Sequence, residues 1–301
     1  MKLAKKLLAF GVAGMMSLAL LASCGGKDSG TTAATTAAPA DTTAAASAAK
    51  AAAPATGGDL SGELSVSGST SVQPLFEALA EEFIKINPGV KIDVQGGGST
   101  TGYENVTKGV TEIGNLSRNL KDEEKDDTLN VHTLATDGIG VVVNKENKVK
   151  SISTEDLVKV FTGEITDWAD LGGDAGEIVV IQREAGSGTR GAFEELLDIE
   201  DKVKASQDAN ETGIVKNTVQ GNANAIGYIS LGSADENVHC LAVDDVEPSE
   251  ATVGDGSYTL ARPFLSITSG EESELAKAFF EFAASDDAIK VIEEMGYFAA
   301  K

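Results

Sequence analysis

The chain has 301 residues and a formal net charge of −23, from 47 Asp and Glu against 24 Lys and Arg. A charge this negative repels the phosphates of nucleic acids and the headgroups of anionic lipids, which argues against both as partners. The chain contains only two histidines and two cysteines. This supply supports neither a zinc site nor a Ser-His-Asp triad, so no metal, no cofactor and no catalytic residue is predicted.

The N-terminus has the pattern of an export signal. Met1–Lys6 carries three lysines, and Leu7–Leu21 is an apolar run too short to span a bilayer comfortably. The run ends in Leu-Ala-Ser-Cys-Gly, which resembles the lipobox of bacterial lipoproteins. That resemblance implies cleavage of residues 1–23 and a lipid with acyl chains such as palmitate on Cys24, anchoring the protein to the extracytoplasmic face of the cell membrane. An ordinary secreted protein with a chance cysteine here is the alternative.

A flexible tether is predicted between the lipidated cysteine and the folded region. Gly25–Gly58 consists almost wholly of Gly, Ser, Thr, Ala and Pro, so residues 24–58 cannot bury a core. The folded region is then 59–301, which is long enough for two packed lobes. With Cys24 lipidated, Cys240 has no cysteine partner, and its strand-like surroundings predict a buried apolar side chain.

Three strands are predicted early in the folded region, each followed by a polar turn. They are Glu63–Ser67, Val90–Val94 and Ile113–Leu116. The first turn is Gly68–Ser71, after which apolar residues run at helical spacing to Ile86. The second is Gly96–Thr100, before a short polar helix, and Ser117-Arg118 follows the third strand. This alternation indicates an α/β lobe with a largely parallel sheet, whose ligands bind at the carboxyl ends of the strands.

The later part of the chain predicts a second series of strands and helices. Asp137–Asn144 is an apolar strand that leaves the first lobe, and Thr154–Phe161 is a helix with Thr154 as its cap. Gly176–Gln182 is a strand that leads into the turn Arg183–Arg190. The remaining predicted elements are the strands Ala225–Ser230, Val238–Val243 and Pro263–Thr268 and the helices Glu274–Ala284 and Asp287–Met295.

Three of the turns are rich in serine, threonine and glycine and run into helices. They are Gly68–Ser71, Gly96–Thr100 and Arg183–Arg190. Each can point unpaired backbone N–H groups and hydroxyls at one spot, with the positive end of a helix dipole behind it. Taken singly, each serine or threonine could be a simple N-cap, and Arg183 could form a surface ion pair with Glu184. Together the three turns predict a site for a tetrahedral oxyanion held from several sides.

Six motifs, in their order along the chain, resemble those of the phosphate-binding lipoproteins of Pst-type ABC importers. The motifs are Gly68–Ser71, Gly97–Gly102, Ile113–Arg118, Phe161–Trp168, Arg183–Arg190 and Asn224–Ile229. The resemblance covers nearly all of Gly62–Lys301, and Arg-x-x-Gly-Ser-Gly-Thr is its most specific part. It implies a bilobal periplasmic-binding-protein fold, in which two α/β lobes are joined by a two-strand hinge with the ligand in the cleft. Lobe 1 would combine 59–140 with 252–301, and lobe 2 would be 141–251.

Carried over position by position, the resemblance implies a set of phosphate ligands. They are Ser69, Thr70, Ser99, Arg183, Ser187, Gly188 and Thr189. The hydroxyls can donate to phosphate oxygens, and Arg183 can make a two-pronged charge-assisted contact. Gly188 lets its backbone N–H approach an anion closely, because it has no Cβ.

Two positions depart from the pattern of that family. Many of its members carry an Asp after the third strand, which accepts a hydrogen bond from protonated phosphate, but this chain has Ser117 followed by Arg118. A second family acid, in the arginine-containing turn, is replaced by Ala185. We expect Asp137 to be the replacement acceptor, with a serine hydroxyl as fallback, or Ser117 and Arg118 to complete the site directly. The alternative for Asp137 is a turn residue in an Asp-Gly pair.

The predicted function is that of an extracytoplasmic receptor, not an enzyme. The resemblance implies that it captures inorganic phosphate and delivers it to the transmembrane subunits of an ABC importer. A receptor for another oxyanion, such as sulfate, molybdate or an organophosphate, is the alternative of the same class. A surface phosphatase is a third hypothesis. It is disfavoured because the sequence has no metal-binding cluster and its two histidines lie in predicted apolar strands. An additional adhesive or sensory role stays open, and we expect a monomer.

Overall fold

Strands and helices alternate along residues 60–299, the part of the chain that the computed structural model describes. The predicted signal peptide, Cys24 and the tether lie outside these residues. The strands are β1 (Ser61–Gly68), β2 (Gly89–Gln95), β3 (Ile113–Leu116), β4 (Leu129–Asn144), β5 (Ser151–Ile152), β6 (Val179–Arg183), β7 (Gln207–Ala209), β8 (Ala225–Ser230), β9 (Val238–Cys240), β10 (Ala242–Val243), β11 (Ala261–Ser269) and β12 (Phe298–Ala299). The helices are α1 (Gln73–Ile86), α2 (Ser99–Thr107), α3 (Thr154–Phe161), α4 (Gly188–Leu196), α5 (Thr212–Gly221), α6 (Glu250–Gly254), α7 (Glu274–Ala283) and α8 (Asp286–Glu294).

One mixed sheet runs through the described residues in the order β2-β1-β3-β11-β4-β8-β6-β7, with β9 and β12 also pairing with β4. At one end β1 is parallel to β2 and β3, and at the other β6 is parallel to β7 and β8. The central strands β11 and β4 are antiparallel to each other and to their neighbours β3 and β8. We expected a largely parallel sheet in the first lobe, and this expectation is wrong for the centre of the sheet. There β11 returns from late in the chain and inserts beside β3 in the antiparallel direction.

The long strand β4 joins the two ends of this sheet. Its first part pairs with β11 through Gly138, and its last part pairs with β8 and β9 from Ile139 onwards. The sequence predicted only Asp137–Asn144, because the preceding residues mix polar and apolar side chains and lack a continuous apolar run. Asp137 therefore lies in mid-strand, at the junction of the two sheet portions.

A large apolar cluster lies on each side of the junction. In the first cluster, α1, α7 and α8 pack on β1, and the ring of Phe279 stacks on Phe76 at 4.7 Å and meets Phe83 edge-on at 5.4 Å. In the second, Phe193 stacks on Tyr228 at 4.1 Å. Aromatic pairs at these spacings add to the free energy gained by apolar burial. Each cluster thus fixes the strand ends beside it, from which the polar turns project.

The second cluster extends further along the chain than the predicted lobe 2. Val253, Tyr258 and Leu260 pack in it, although the sequence assigned residues from 252 onwards to lobe 1. The Tyr258 hydroxyl donates to the Ile139 carbonyl at 2.8 Å, which ties this segment to β4. The lobe boundaries themselves stay a prediction.

Two local predictions differ from the structure. Helix α3 is capped by Ser153, whose hydroxyl accepts from the Asp156 N–H at 3.1 Å, while the predicted cap Thr154 donates to Asp244 at 2.6 Å. The predicted strand over 238–243 is divided at Leu241, because β9 pairs with β4 and β10 pairs with β5. Within residues 60–299, every helix is too short or too polar to cross a membrane.

Candidate functional site

The three polar turns follow the carboxyl ends of β1, β2 and β6 and meet one another. The Gly98 N–H donates to the Gly68 carbonyl at 2.9 Å, which joins the first turn to the second. The Thr100 N–H donates to the Gly186 carbonyl at 3.1 Å, which joins the second turn to the third. Turns that are far apart in sequence therefore face one another, because β1 and β6 run in opposite directions within the sheet and their carboxyl ends point towards each other.

Seven hydroxyls gather between these turns and form what we call the hydroxyl cluster. Its members are Ser69, Thr70, Ser71, Ser99, Ser117, Thr189 and Thr212, all of them buried except the half-buried Thr70. Ser69 Oγ donates to Ser117 Oγ at 2.8 Å, and the Ser117 N–H donates to Ser99 Oγ at 3.0 Å. Hydroxyls can reverse between donating and accepting, so they can exchange these mutual contacts for contacts to an anion.

Glycine is required where the third turn approaches the cluster. A Cβ on Gly188 would collide with Ser99 Oγ and would lie 2.8 Å from Ser117 Oγ. Gly188 is the first residue of α4, and Ser187 caps that helix by accepting from the Arg190 N–H at 3.3 Å. The cap positions the positive end of α4 against the hydroxyl cluster, which favours a negative charge there.

Arg183, the last residue of β6, is 2% exposed and lines the cluster. Its Nη2 donates to Thr70 Oγ1 and its Nη1 to Thr212 Oγ1, both at 3.1 Å. Its Nε and Nη2 also donate to the two carboxylate oxygens of Glu184 at 3.0 Å. The pair with Glu184 that the sequence suggested is therefore present, but it holds a buried guanidinium and not a surface one.

Ser71 and Thr212 are members of the cluster that sequence reasoning missed. Ser71 Oγ lies 2.8 Å from Thr189 Oγ1 and 2.9 Å from Thr212 Oγ1, so it connects the first turn to the starts of α4 and α5. Ser71 ends the first turn motif, so its position was available as a signal. Thr212 begins α5 in a segment without a glycine-rich turn, and only the fold brings it near.

Arg118 does not join the hydroxyl cluster, although Ser117 beside it does. Its Nη1 and Nη2 donate to the two carboxylate oxygens of Glu124 at 2.6 and 2.7 Å, and both side chains are almost fully buried. Burial is the largest single influence and raises the pKa of Glu124, but the hydrogen bonds from Arg118 and the Lys121 N–H, together with the charges of both residues, outweigh it and hold that pKa below its usual value. Arg118 borders a cleft of about 900 Å³ outside the cluster, also lined by Arg190, Glu194 and Glu200.

Asp137 is separated from the hydroxyl cluster by the side chain of Arg262. Its Oδ1 accepts from Ser230 Oγ at 2.9 Å and its Oδ2 from Arg262 Nη2 at 2.8 Å. Burial raises the pKa of Asp137 to about 6, while the charge of Arg262 acts in the opposite direction. Both oxygens are thus engaged by the protein. Asp137 reaches the cluster only through Arg262, whose Nη1 donates to Thr189 Oγ1 at 3.1 Å, in contrast to the direct acceptor expected from the sequence.

The chemistry of the cluster is that of hydrogen-bond donation to an anion. Its side chains are neutral hydroxyls, and the guanidiniums of Arg183 and Arg262 border it. Within the described residues, no group of three or more His, Cys, Asp and Glu side chains could hold a metal ion. His239 lies in β9 and His132 pairs with Glu272 at 2.6 Å, and neither takes part in the hydrogen bonds of the cluster.

A family model described as the PBP superfamily domain matches residues 30–287. Among curated proteins, the phosphate-binding protein PstS of Bacillus subtilis is 36% identical over 239 residues, which cover 77% of this chain and 79% of that protein. PstS of Borreliella burgdorferi is 27% identical over 250 residues, covering 79% of this chain and 90% of that protein.

Two solved structures are similar in fold and sequence. A phosphate ABC transporter substrate-binding protein from Clostridium perfringens, determined with bound phosphate, is 40% identical with a TM-score of 0.78, covering 80% of this chain and 100% of that one. An ABC-type phosphate transport receptor from Vibrio cholerae is 36% identical with a TM-score of 0.67, covering 79% and 100%. These likenesses confirm the predicted α/β periplasmic-binding-protein fold.

Proposed function

The chain belongs to the PstS family of phosphate-binding proteins within the PBP superfamily, and we propose that it captures inorganic phosphate outside the cytoplasm and delivers it to an ABC importer. The observation that carries this proposal is the buried hydroxyl cluster, which lies at the start of α4 and is bordered by Arg183. In a chain of net charge −23, bulk electrostatics repel an anion, so local donors have to bind it.

The ligands we propose come from the three polar turns, from Ser117 after β3 and from the start of α5. They are Ser69, Thr70, Ser99, Ser117, Arg183, Ser187, Gly188 and Thr189, with Ser71 and Thr212 added by their contacts. Hydroxyls and backbone N–H groups donate to phosphate oxygens, and Arg183 supplies the charge-assisted contact. Arg118 is assigned a structural role with Glu124, since both of its Nη atoms are engaged there.

Capture by closure is supported by hydrogen bonds between distant parts of the chain. Thr70 follows β1 and bonds to Arg183 of β6, while Ser71 bonds to Thr189 of α4. Such contacts hold the first and third turns together around one spot. An anion that takes over these hydroxyls would bind both turns at once and favour the closed arrangement through its differential affinity. No covalent bond is formed or broken in this process, and we propose no catalytic activity.

The lipid anchor on Cys24, the extracytoplasmic face of the cell membrane and the monomeric state complete the proposal. The anchor and the location rest on the sequence: the lipobox pattern, the signal before it and the tether predicted over residues 24–58. Cys24 and the tether lie outside the described residues. The tether gives the folded region reach from the membrane to the permease subunits, which is what delivery requires.

A receptor for another oxyanion is the second candidate, and the contacts of Asp137 favour it. Its two oxygens accept from Ser230 and Arg262, so a proton on phosphate has no free carboxylate to meet in the cluster. Without a buried acceptor, the main penalty against fully deprotonated sulfate is absent. A serine hydroxyl that accepts the phosphate proton would restore the discrimination.

Titration calorimetry of the mature protein against phosphate, sulfate, molybdate and a phosphate monoester tests the proposal. We expect heat from phosphate that saturates at one anion per chain, with weaker or no binding of the others. Release of inorganic phosphate from the monoester is measured in parallel, and none is expected. Tighter binding of sulfate or molybdate would establish the second candidate, and turnover of the monoester would make the protein an enzyme.

A further inference from the structure

The side chain of Arg262 is buried beside the hydroxyl cluster without belonging to any of the three turns. It projects from β11 and is 4% exposed. Its Nη1 donates to the Ser117 carbonyl at 2.6 Å and to Thr189 Oγ1 at 3.1 Å, and its Nη2 donates to Asp137 Oδ2 at 2.8 Å. One guanidinium therefore connects the turn after β3, the start of α4 and the central strand β4.

Stability of the fold is a poor explanation for such a pair. A buried ion pair loses so much hydration that apolar residues of the same volume are often equally or more stabilising. The pair is nevertheless fixed in place, because Ser230 Oγ holds the second oxygen of Asp137 at 2.9 Å. A guanidinium clamped by a carboxylate has a defined direction for its other nitrogens, and Nη1 points to Ser117 and Thr189.

The contact to Thr189 settles which way that hydroxyl acts. A threonine hydroxyl has one hydrogen and two lone pairs, and Arg262 occupies a lone pair. The hydrogen is then left for Ser71 Oγ at 2.8 Å, for Ser117 Oγ at 3.5 Å, or for an anion placed among them. Accepting from a charged group also polarises the O–H bond, which makes it a stronger donor to a negative charge.

We propose that Arg262, clamped by Asp137, is a positioning residue of the anion site: it commits the Thr189 hydroxyl to donate to the bound oxyanion. The proposal rests on the proposed function, because it assumes an anion in the hydroxyl cluster. It gives Asp137 an indirect role, in which the carboxylate directs Arg262 and does not touch the ligand.

A double-mutant cycle between Arg262→Lys and Thr189→Val tests this role by titration calorimetry with phosphate. Lysine keeps the charge but cannot reach three partners, and valine keeps the shape of threonine without its hydroxyl. We expect each single variant to bind roughly 10- to 100-fold more weakly. The double variant should bind about as weakly as Thr189→Val alone, since Arg262 acts through that hydroxyl. Losses that multiply would overturn the proposal and leave Arg262 with a structural role.

Thr268→Val is the matched control. Thr268 is a buried threonine on the same strand as Arg262, and its hydroxyl bonds to Asn130 and Glu272 instead of the cluster. We expect it to leave phosphate affinity unchanged, and Arg262→Lys in its background to lose as much affinity as in the wild type. An effect of Thr268→Val on affinity as large as that of Thr189→Val would also overturn the proposal, because any buried threonine would then matter.

Arg262→Lys could fail to fold, so a charge-neutral pair of substitutions provides a second route. Asp137→Asn combined with Arg262→Gln removes both charges and leaves no unpaired buried ion. A folded protein of this kind should bind phosphate at least 10-fold more weakly, and unchanged affinity would overturn the proposal. The proposed function is tested separately. A folded wild type that binds no oxyanion would refute both the proposed function and this inference, whereas phosphate binding that is insensitive to Arg262 would refute only this inference.

Discussion

Arg118 and Arg183 are both buried, both stand at or just after the end of a strand, and both lie beside a glutamate, yet they use their donors differently. Arg118 gives both Nη atoms to Glu124 at 2.6 and 2.7 Å. Arg183 binds Glu184 through Nε and Nη2, while its Nη atoms also reach the hydroxyls of Thr70 and Thr212.

The difference separates a structural arginine from one suited to ligand binding. A guanidinium engaged by a carboxylate at both tips must break a charge-assisted pair before it can bind an anion. Donors that rest on neutral hydroxyls can exchange them for an anion at lower cost, since neutral hydrogen bonds are weaker. Burial and residue type are the same in both regions, so the partners decide the role.

The largest effect is expected from Glu124→Gln, which tests the structural side of this comparison. It should lower the free energy of unfolding by roughly 3 kcal/mol or more, because it leaves the buried charge of Arg118 without a counter-ion. Phosphate affinity should stay unchanged. Denaturant unfolding and titration calorimetry measure the two quantities, and a large loss of affinity with little loss of stability would assign Arg118 to the anion.

Acid should remove the same contribution in the wild type. The pKa of Glu124 is lowered from its ordinary value of 4.5, because burial, which raises it, is outweighed by the combined hydrogen bonds and charges of Arg118 and Lys121. The folded state thus binds fewer protons than the unfolded state, so this contribution is complete above the unfolded pKa and is lost as pH falls through the lowered one. Unfolding experiments at acid pH should show a smaller loss in Glu124→Gln than in the wild type. Equal losses would contradict the predicted shift.

Arg183→Ala tests the ligand-binding side and should have the next largest effect. It should weaken phosphate binding by roughly 1.5–3 kcal/mol or more, the range for hydrogen bonds to charged groups. Titration calorimetry measures the affinity, and circular dichroism checks that the variant is folded. If a folded variant binds phosphate as tightly as the wild type, Arg183 does not donate to the anion, and the proposed difference between Arg183 and Arg118 is refuted.

Thr212→Val sharpens the comparison at one of the neutral partners of Arg183. The loss should be about 1 kcal/mol of phosphate binding, the scale of one hydrogen bond, because the hydroxyl accepts from Arg183 Nη1. The matched control is Thr218→Val on the same helix, whose hydroxyl donates to the Ile214 carbonyl of that helix. Equal affinities of the two variants would remove Thr212 from the site.

Cys24→Ser should change affinity least of all, since the substitution is outside the folded region. It should release the protein from the membrane while phosphate binding stays unchanged. Membrane fractionation and mass spectrometry of the mature N-terminus measure the outcome. An unlipidated wild-type protein in the membrane-free fraction would refute the anchor, and altered affinity in the variant would show that Cys24 influences the anion site.

Much of the candidate site could be predicted from the sequence, because the motifs that indicate it are local. Ser69, Ser99, Ser187, Gly188 and Thr189 lie in turns whose glycines and hydroxyls are adjacent in sequence. Apolar and polar residues alternate in the strands before the first two turns, and the helices after the first and third turns have apolar residues at helical spacing. The order of the motifs was then enough to predict the fold class, which the similar structures confirm.

Residues that act through distant partners could not be predicted in the same way. Thr212 and Arg262 have no motif around them, and Arg262 lies 145 residues from Ser117, to whose carbonyl it donates. The sequence could equally place Asp137 in a turn or in the site; in the structure it is paired with Arg262 in mid-strand. Glu124 belongs to an acidic stretch, and nothing local distinguishes it from its exposed neighbours.

The sequence by itself determined the signal pattern, the tether, the strand-turn-helix units and the turns that can donate to an anion, because these follow from composition and from periods of a few residues. Only the tertiary structure decided which buried arginine is free to serve a ligand. Each guanidinium takes its role from the carboxylate or hydroxyls that packing brings within 3 Å or so, and that packing depends on β11 returning from late in the chain to the centre of the sheet.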